Sequence, residues 1–288
     1  MHLAPRSWLF IPGDSEKKLA KAEYVGADAV ILDLEDAVSA ANKPRARELA
    51  ATWLREPRGR TQRWVRVNPL DSGMIDDDLS ALVAGAPAGI VLPKAEGPGD
   101  VRRLAERLDA LGVGQGVAIH AIVTETARAV LRLTEFAGPP PPRLSAMSWG
   151  AEDLSADVGA SGNRHADGQF HALFGLARSL TLAAAASVGV SAVETLHADF
   201  KDERGLDLAA RRARAEGFTG MLAIHPAQVA VINAAFMPSD EELAHARAIV
   251  AAFDDAGTGT VAIDGKMIDR PHWVQATRLL ARAQSLSE

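Results

Sequence analysis

Eight short runs rich in Val, Ile and Leu recur along the chain, at 8–11, 29–32, 64–67, 89–92, 118–123, 144–149, 190–195 and 221–224. A strand that is apolar at nearly every position has to be covered on both faces, so these runs belong to a parallel sheet wrapped in helices. The stretches between them, such as 16–24, 44–54, 101–111 and 206–216, carry the helical period and begin after Gly, Pro, Asp or Asn. Eight strand-then-helix units in a row predict an α/β fold, a closed (β/α)8 TIM barrel. The alternative is an open doubly wound sheet. Its glycine fingerprint is missing after the first strand, where the chain reads Pro12, Gly13, Asp14, Ser15.

One barrel accounts for most of the 288 residues. The expected division is a catalytic barrel over 1–236 and a C-terminal helical extension over 237–288. In the extension, 239–253 reads as a capped helix with Glu241 and Glu242 in its first turn, 256–265 as a Gly-rich hinge, and the remainder as a helical tail, a candidate lid or subunit contact. Pro139 to Pro142 read as a stiff spacer before the sixth strand. A net charge of -6 argues against nucleic acid as a partner, because phosphate backbones call for a basic face. The chain has no cysteine, which excludes disulfides, thiolate metal sites and cysteine nucleophiles and suits a reducing cytoplasm. No run approaches the roughly 20 apolar residues of a membrane span, and the N-terminus lacks a signal-peptide core, so the expectation is a cytoplasmic protein with no membrane partner.

In such a barrel the carboxyl ends of the strands form the active site, so polar residues that end apolar strands are informative. Asp33, Glu35 and Asp36 follow the second strand, Arg66 and Asn68 lie on the third, and Lys94 follows the fourth, Glu125 the fifth, Glu152 and Asp153 the sixth and His225 the eighth. Any one of them alone reads as a helix cap or a solvated charge, and Asp14 could simply cap the first helix. Acids converging from strands 2, 5 and 6 would repel one another unless a cation or a proton relieved them. With oxygen ligands only, that cation is expected to be Mg²⁺, with Mn²⁺ possible; the eight histidines show no paired spacing suited to zinc. Lys94 could form a Schiff base with a carbonyl substrate, act electrostatically, or sit in a plain ion pair. His225, before Pro226, reads as a structural histidine.

The segments 6–14 (RSWLFIPGD), 26–38 (GADAVILDLEDAV), 65–69 (VRVNP), 92–94 (LPK), Glu125-Thr126, 149–154 (WGAEDL), 224–228 (IHPAQ) and 264–269 (DGKMID), in this order across nearly the whole chain, resemble the citrate lyase β-subunit-like (CitE-like) proteins of the HpcH/HpaI aldolase/citrate lyase superfamily. The resemblance implies a metal held by Glu125 and Asp153, an arginine at Arg66 gripping the oxo-acid part of a substrate, and an acid at Asp269. In related malyl-CoA and citramalyl-CoA lyases the residue matching Asp269 comes from a neighbouring subunit, and family members are commonly trimers or dimers of trimers, so a homo-oligomer is implied. The chain departs from many relatives after Asp14, where Ser15 and Glu16 stand in place of Arg-Pro; Lys17, Lys18 and Lys21 could still supply charge to the phosphates of coenzyme A.

The function so implied is Mg²⁺-dependent cleavage of a short 3-hydroxyacyl-CoA thioester, of citramalyl-CoA, malyl-CoA or citryl-CoA type, to acetyl-CoA and a 2-oxo acid, or the reverse condensation. Glu35 and Asp36 would orient metal-bound waters and Lys94, or Asp36 would take the hydroxyl proton through a water. Three alternatives stand beside it: the lyase subunit of a citrate lyase complex acting on carrier-bound citryl, a class II aldolase releasing an oxo acid, and a metabolite-binding barrel without catalysis.

Overall fold

In the computed structural model, which describes residues 4–57, 59–256, 259–263 and 265–287, the eight apolar runs become eight parallel strands. They are β1 (Ser7–Pro12), β2 (Ala29–Asp33), β3 (Gln62–Arg66), β4 (Gly89–Leu92), β5 (Ala118–Ile122), β6 (Leu144–Ser148), β7 (Ser191–Glu194) and β8 (Gly220–Ala223). Each pairs with the next, and β8 returns to β1 with Ser7 opposite Met221 and Leu9 opposite Ala223, so the sheet closes into the expected TIM barrel.

The helices between strands are α1 (Glu16–Leu19), α2 (Lys43–Arg55), α3 (Ile75–Leu82), α4 (Pro98–Ala110), α5 (Ala127–Arg132), α6 (Ala151–Asp157), α7 (Ala172–Ser187) and α8 (Glu203–Glu216), and α9 (Pro226–Ala235) follows the last strand. The first helical stretch is shorter than its sequence pattern predicts. It breaks after Leu19 and resumes as a single 3₁₀ turn over Ala22–Tyr24.

One face of each strand feeds a shared core of Trp8, Ile31, Trp64, Val91, Ile122, Ala146, Val193 and Leu222. Each large aliphatic side chain removed from water there contributes about 1.5–3 kcal/mol. Two indoles need room, and small residues supply it: a Cβ at Gly89 would fall 2.1 Å from the Trp64 ring, so only glycine admits that ring against β4. Trp8 and Trp64 meet edge to face at 5.0 Å, and the His120 ring stands edge-on to Trp8 at 4.7 Å. Neither ring nitrogen of His120 finds a hydrogen-bond partner, and burial pushes its pKa down to about 3, so the imidazole is neutral.

The chain divides into two compact units, Pro5–Asn233 and the residues from Ala234 onward, with Ala4 joining the latter. The second unit holds α10 (Asp240–Ala256), an antiparallel hairpin of β9 (Thr260–Ile263) and β10 (Lys266–Asp269), and α11 (Arg270–Ser287). Ser239 and Glu242 cap α10 reciprocally: the Glu242 N–H donates to Ser239 Oγ at 3.1 Å and the Ser239 N–H to Glu242 Oε2 at 2.7 Å. Ala246, Ile249, Ile268 and Ala276 form this unit's own small core. The stretch read as a Gly-rich hinge carries strand β9 instead, because Val261 and Ile263 alternate with exposed positions and pack on that core; Gly257, Thr258 and Asp264 of the same stretch lie outside the described residues. No described helix is long and apolar enough to cross a membrane.

Candidate active site

The carboxyl ends of β2 to β6 bring the polar strand-end residues together. Asp33 closes β2 and lies in register with Arg66, which closes β3. Their side chains meet in a fork: Arg66 Nε donates to Asp33 Oδ1 at 2.8 Å and Nη2 to Oδ2 at 2.7 Å. Burial would raise the Asp33 pKa, but Arg66 and the N–H groups of Glu35 and Ala37 outweigh it and hold the carboxyl below the usual range. Arg66 also stands 3.0 Å from Glu35 Oε2 through Nη1 and lies over the Phe10 ring at 4.7 Å. Burial works against its charge, yet Asp33, Glu35 and Glu125 hold the pKa above that of a free arginine.

Lys94 is the hub of the acids. It takes a left-handed backbone, φ 51°, which few residues other than glycine adopt without cost. In that conformation its N–H donates to the Glu125 carboxylate while its ammonium donates to Glu35. The ammonium also lies 3.4 Å from Asp36 Oδ2 and 3.5 Å from Asp153 Oδ1. Burial pulls the Lys94 pKa down, but Glu35, Glu125 and Asp153 together hold it above its ordinary value. A Schiff-base lysine has to lose its proton before attack, whereas this one is held charged among Glu35, Asp36 and Asp153, as an ion pair or an electrostatic group would be.

Glu125, 2% exposed, ends the β5 exit just before Thr126, whose Oγ1 caps α5 by accepting the Ala129 N–H at 3.1 Å. Burial, Asp153 and Glu35 push the Glu125 pKa up to about 8, against the Lys94 N–H and Arg66. Asp153 sits in the first turn of α6 with a third of its side chain exposed. Glu35 is buried and its pKa raised, first by desolvation, while Arg66 and Lys94 oppose that rise; Asp36 beside it is mostly exposed.

A network of which the sequence marks only Asn68 fixes this rim from behind. Lys43, on α2, is buried, and its ammonium donates to the carbonyls of Leu34 and Glu35 at 2.7 and 2.8 Å and to Asn68 Oδ1 at 2.7 Å. Asn68 in turn donates its Nδ2 to Asp78 at 2.7 Å, and Asp78 is held by Arg47 at 2.7 Å. A lysine within an amphipathic helix carries no signal of such burial.

The remaining expected residues lie apart from this cluster. Asp14 does not cap α1; its Oδ2 accepts from Asn42 Nδ2 at 2.8 Å. Lys17 and Lys21 are exposed on and after α1. His225 is exposed, stacks on Phe200 at 4.7 Å and accepts the Ala227 N–H. Asp269 ends β10 in the second unit, where its Oδ1 lies 2.5 Å from His272 Nδ1. His165 and His171, six apart in sequence, are brought within 3.1 Å by a bridge between Arg164 and Phe170. Among the described residues no three His, Asp or Glu side chains form a group able to hold a metal by themselves.

The model of the HpcH/HpaI aldolase/citrate lyase family matches residues 6–226, and that of carbon–carbon bond lyases of the TIM-barrel fold matches residues 181–287. A (3S)-malyl-CoA thioesterase of Cereibacter sphaeroides is 36% identical over 286 residues, covering 98% of this chain and 95% of that protein. The mitochondrial citramalyl-CoA lyase of Mus musculus is 33% identical over 300 residues, covering 98% and 87%. The crystal structure of the CitE protein of Mycobacterium tuberculosis, in complex with magnesium, acetoacetate and coenzyme A, superposes with a TM-score of 0.82 at 38% identity over 98% of each chain.

Proposed function

This chain belongs to the HpcH/HpaI aldolase/citrate lyase family and is a carbon–carbon lyase, and we propose that it cleaves a short 3-hydroxyacyl-CoA thioester to acetyl-CoA and a 2-oxo acid with Mg²⁺ bound. The observation that carries the reading is the convergence of Arg66, Glu35, Lys94, Glu125 and Asp153 at the carboxyl ends of neighbouring strands.

The donor set fits the metal. Glu125 is a buried carboxyl that desolvation and the neighbouring acids hold far above its ordinary pKa, a situation a divalent cation relieves. Two carboxylates without a third protein ligand suit Mg²⁺, which keeps waters and takes substrate oxygens, better than a metal that asks for a full protein cage. Glu125 and Asp153 would hold it, and when bound it lowers the pKa of a substrate hydroxyl and polarises the adjoining carboxylate.

In the cleavage the 3-hydroxyl gives up its proton and the C2–C3 electron pair moves into the thioester as an enolate. C3 leaves as the carbonyl carbon of the oxo acid, and C2 takes a proton. Asp36, exposed and 3.4 Å from the Lys94 ammonium, is the proposed acceptor of the hydroxyl proton through a water. The Nη1 edge of Arg66, outside the fork with Asp33 and ion-paired with Glu35 at 3.0 Å, is the proposed donor to the oxo acid, shared with Glu35. The charged Lys94 favours negative charge developing near it. Asp269, supplied by the second unit of a neighbouring subunit in a trimer or hexamer, is the proposed acid for the enolate. Lys17 and Lys21 are the proposed contacts to the phosphates of coenzyme A.

A second reading is favoured by the thioesterase relative: hydrolysis of the same thioester to free coenzyme A and a hydroxy acid. One assay separates the two. The purified protein is given citramalyl-CoA, malyl-CoA and citryl-CoA with Mg²⁺ or with EDTA. Oxo acid and acetyl-CoA that vanish with EDTA bear out the lyase; free thiol without oxo acid establishes the thioesterase; no turnover of any thioester removes both.

A further inference from the structure

Glu194 ends β7, is 4% exposed, and has no part in the cleavage chemistry above. A carboxylate so deeply placed needs its lone pairs filled, and three donors fill them. Oε1 accepts the indole N–H of Trp149 at 2.6 Å and the Thr195 N–H at 2.9 Å; Oε2 accepts Arg178 Nε at 2.6 Å. Arg178 is anchored from the other side by Glu216.

Trp149 is the first residue after β6 and is fully buried, with its ring edge-on to Phe170 at 4.8 Å. An indole held by a charge-assisted hydrogen bond at its tip and an aromatic ring at its side has one orientation open to it. The backbone that bears it is fixed in consequence. The next residue, Gly150, donates its N–H to Thr124 Oγ1 at 3.3 Å and offers its carbonyl to Leu154 to begin α6. A Cβ on Gly150 would lie 2.5 Å from Glu125 Cγ, so the Glu125 side chain rests directly on this bare backbone. Three residues further on, in the same first turn, is Asp153. The segment 149–153 is therefore both the floor under one carboxylate and the carrier of the other.

We infer that Glu194 is a positioning residue that sets the spacing of Glu125 and Asp153 through the Trp149 indole. The inference rests on the reading that these two carboxylates hold Mg²⁺. It differs from a purely structural role in what it asks of each atom. The acceptor at Oε1 has to be present, while Oε2 pairs with Arg178.

The test uses full-length protein, Mg²⁺ binding measured by calorimetry without substrate, and urea unfolding of each variant. Trp149→Phe keeps an aromatic ring and deletes the N–H; Glu194→Leu deletes the acceptor; Glu194→Gln keeps an oxygen able to accept from Trp149. Loss of an outer partner of metal ligands typically lowers affinity about 10- to 100-fold. The expected result is a loss of that size in Trp149→Phe and Glu194→Leu, with binding in Glu194→Gln close to the parent. Should Glu194→Leu fail to fold, Trp149→Phe carries the test alone. Undiminished Mg²⁺ binding by a folded Trp149→Phe overturns the positioning role while leaving the metal reading intact. A parent protein that binds no Mg²⁺ overturns the metal reading, and the inference with it.

Discussion

Arg66 and Asp33 are register partners on adjacent strands and bind each other edge to edge, with Nε and Nη2 of one at 2.8 and 2.7 Å from the two oxygens of the other. The fork aims the remaining Nη1 edge, and a lysine cannot reproduce it, because an ammonium is a point charge on a flexible stem. Arg66→Lys is expected to lower kcat about 100-fold or more, together with a lower urea midpoint from the broken buried fork with Asp33. Steady-state kinetics near parent values would remove Arg66 from the site.

Lys94 is held charged by the acids around it, so it should form no imine. Treatment with borohydride in the presence of pyruvate or glyoxylate is expected to leave activity intact and to add no mass to the protein. A reduced adduct on Lys94 by mass spectrometry would reverse the electrostatic assignment.

The proposed metal ligands and the proposed tail acid should fail in different ways. Glu125→Gln and Asp153→Asn are expected to abolish both Mg²⁺ binding and turnover. Asp269→Ala is expected to bind Mg²⁺ as the parent does and to lose about 100-fold or more in turnover, the size of a lost general acid. An Asp269→Ala protein as active as the parent would make the hairpin a structural feature only.

His120 links stability to pH. Its folded pKa of about 3 lies below the 6.5 of a free histidine, so the unfolded chain takes up the proton first as pH falls. Its contribution is fully present above pH 6.5 and is lost between there and about pH 3, at roughly 1.4 kcal/mol per pH unit. Replacement by Leu should flatten the dependence of the urea midpoint on pH between 6.5 and 4, and equal slopes in the two proteins would show that another group governs it.

The barrel was legible because each of its strands is buried on both faces and so declares itself as an apolar run. Its edges were less so. The third strand begins at Gln62, two residues before the apolar stretch at 64–67, since ladder pairing, to which hydropathy is blind, sets the end. The acids and cations of the rim could be named from their place after strands, whereas their partners could not. Lys43 and Asp78 act on partners 25 and 31 residues away, and nothing local distinguishes them from surface charges, whereas Glu194 ends an apolar run as the rim acids do and only its partner Trp149, 45 residues back, was illegible. The histidine pair was missed for the same reason: a hairpin, and no helical period, joins His165 to His171. The strands β9 and β10 were hidden by the glycines flanking them, which read as a hinge.

One backbone angle couples two acids. Lys94 reaches Glu125 with its main chain and Glu35 with its side chain, and it does both from a single left-handed turn. Substituting the side chain can cut only the second tie; the first persists as long as the turn does. A glycine there would keep the Glu125 contact and relieve the conformational cost, a methionine would keep the cost and lose the charge, and comparing the two would separate what the loop's shape gives the site from what its ammonium gives. The loop after β4 thus works as a yoke between the exits of the second and fifth strands, gripping the fifth by its main chain and the second by its ammonium.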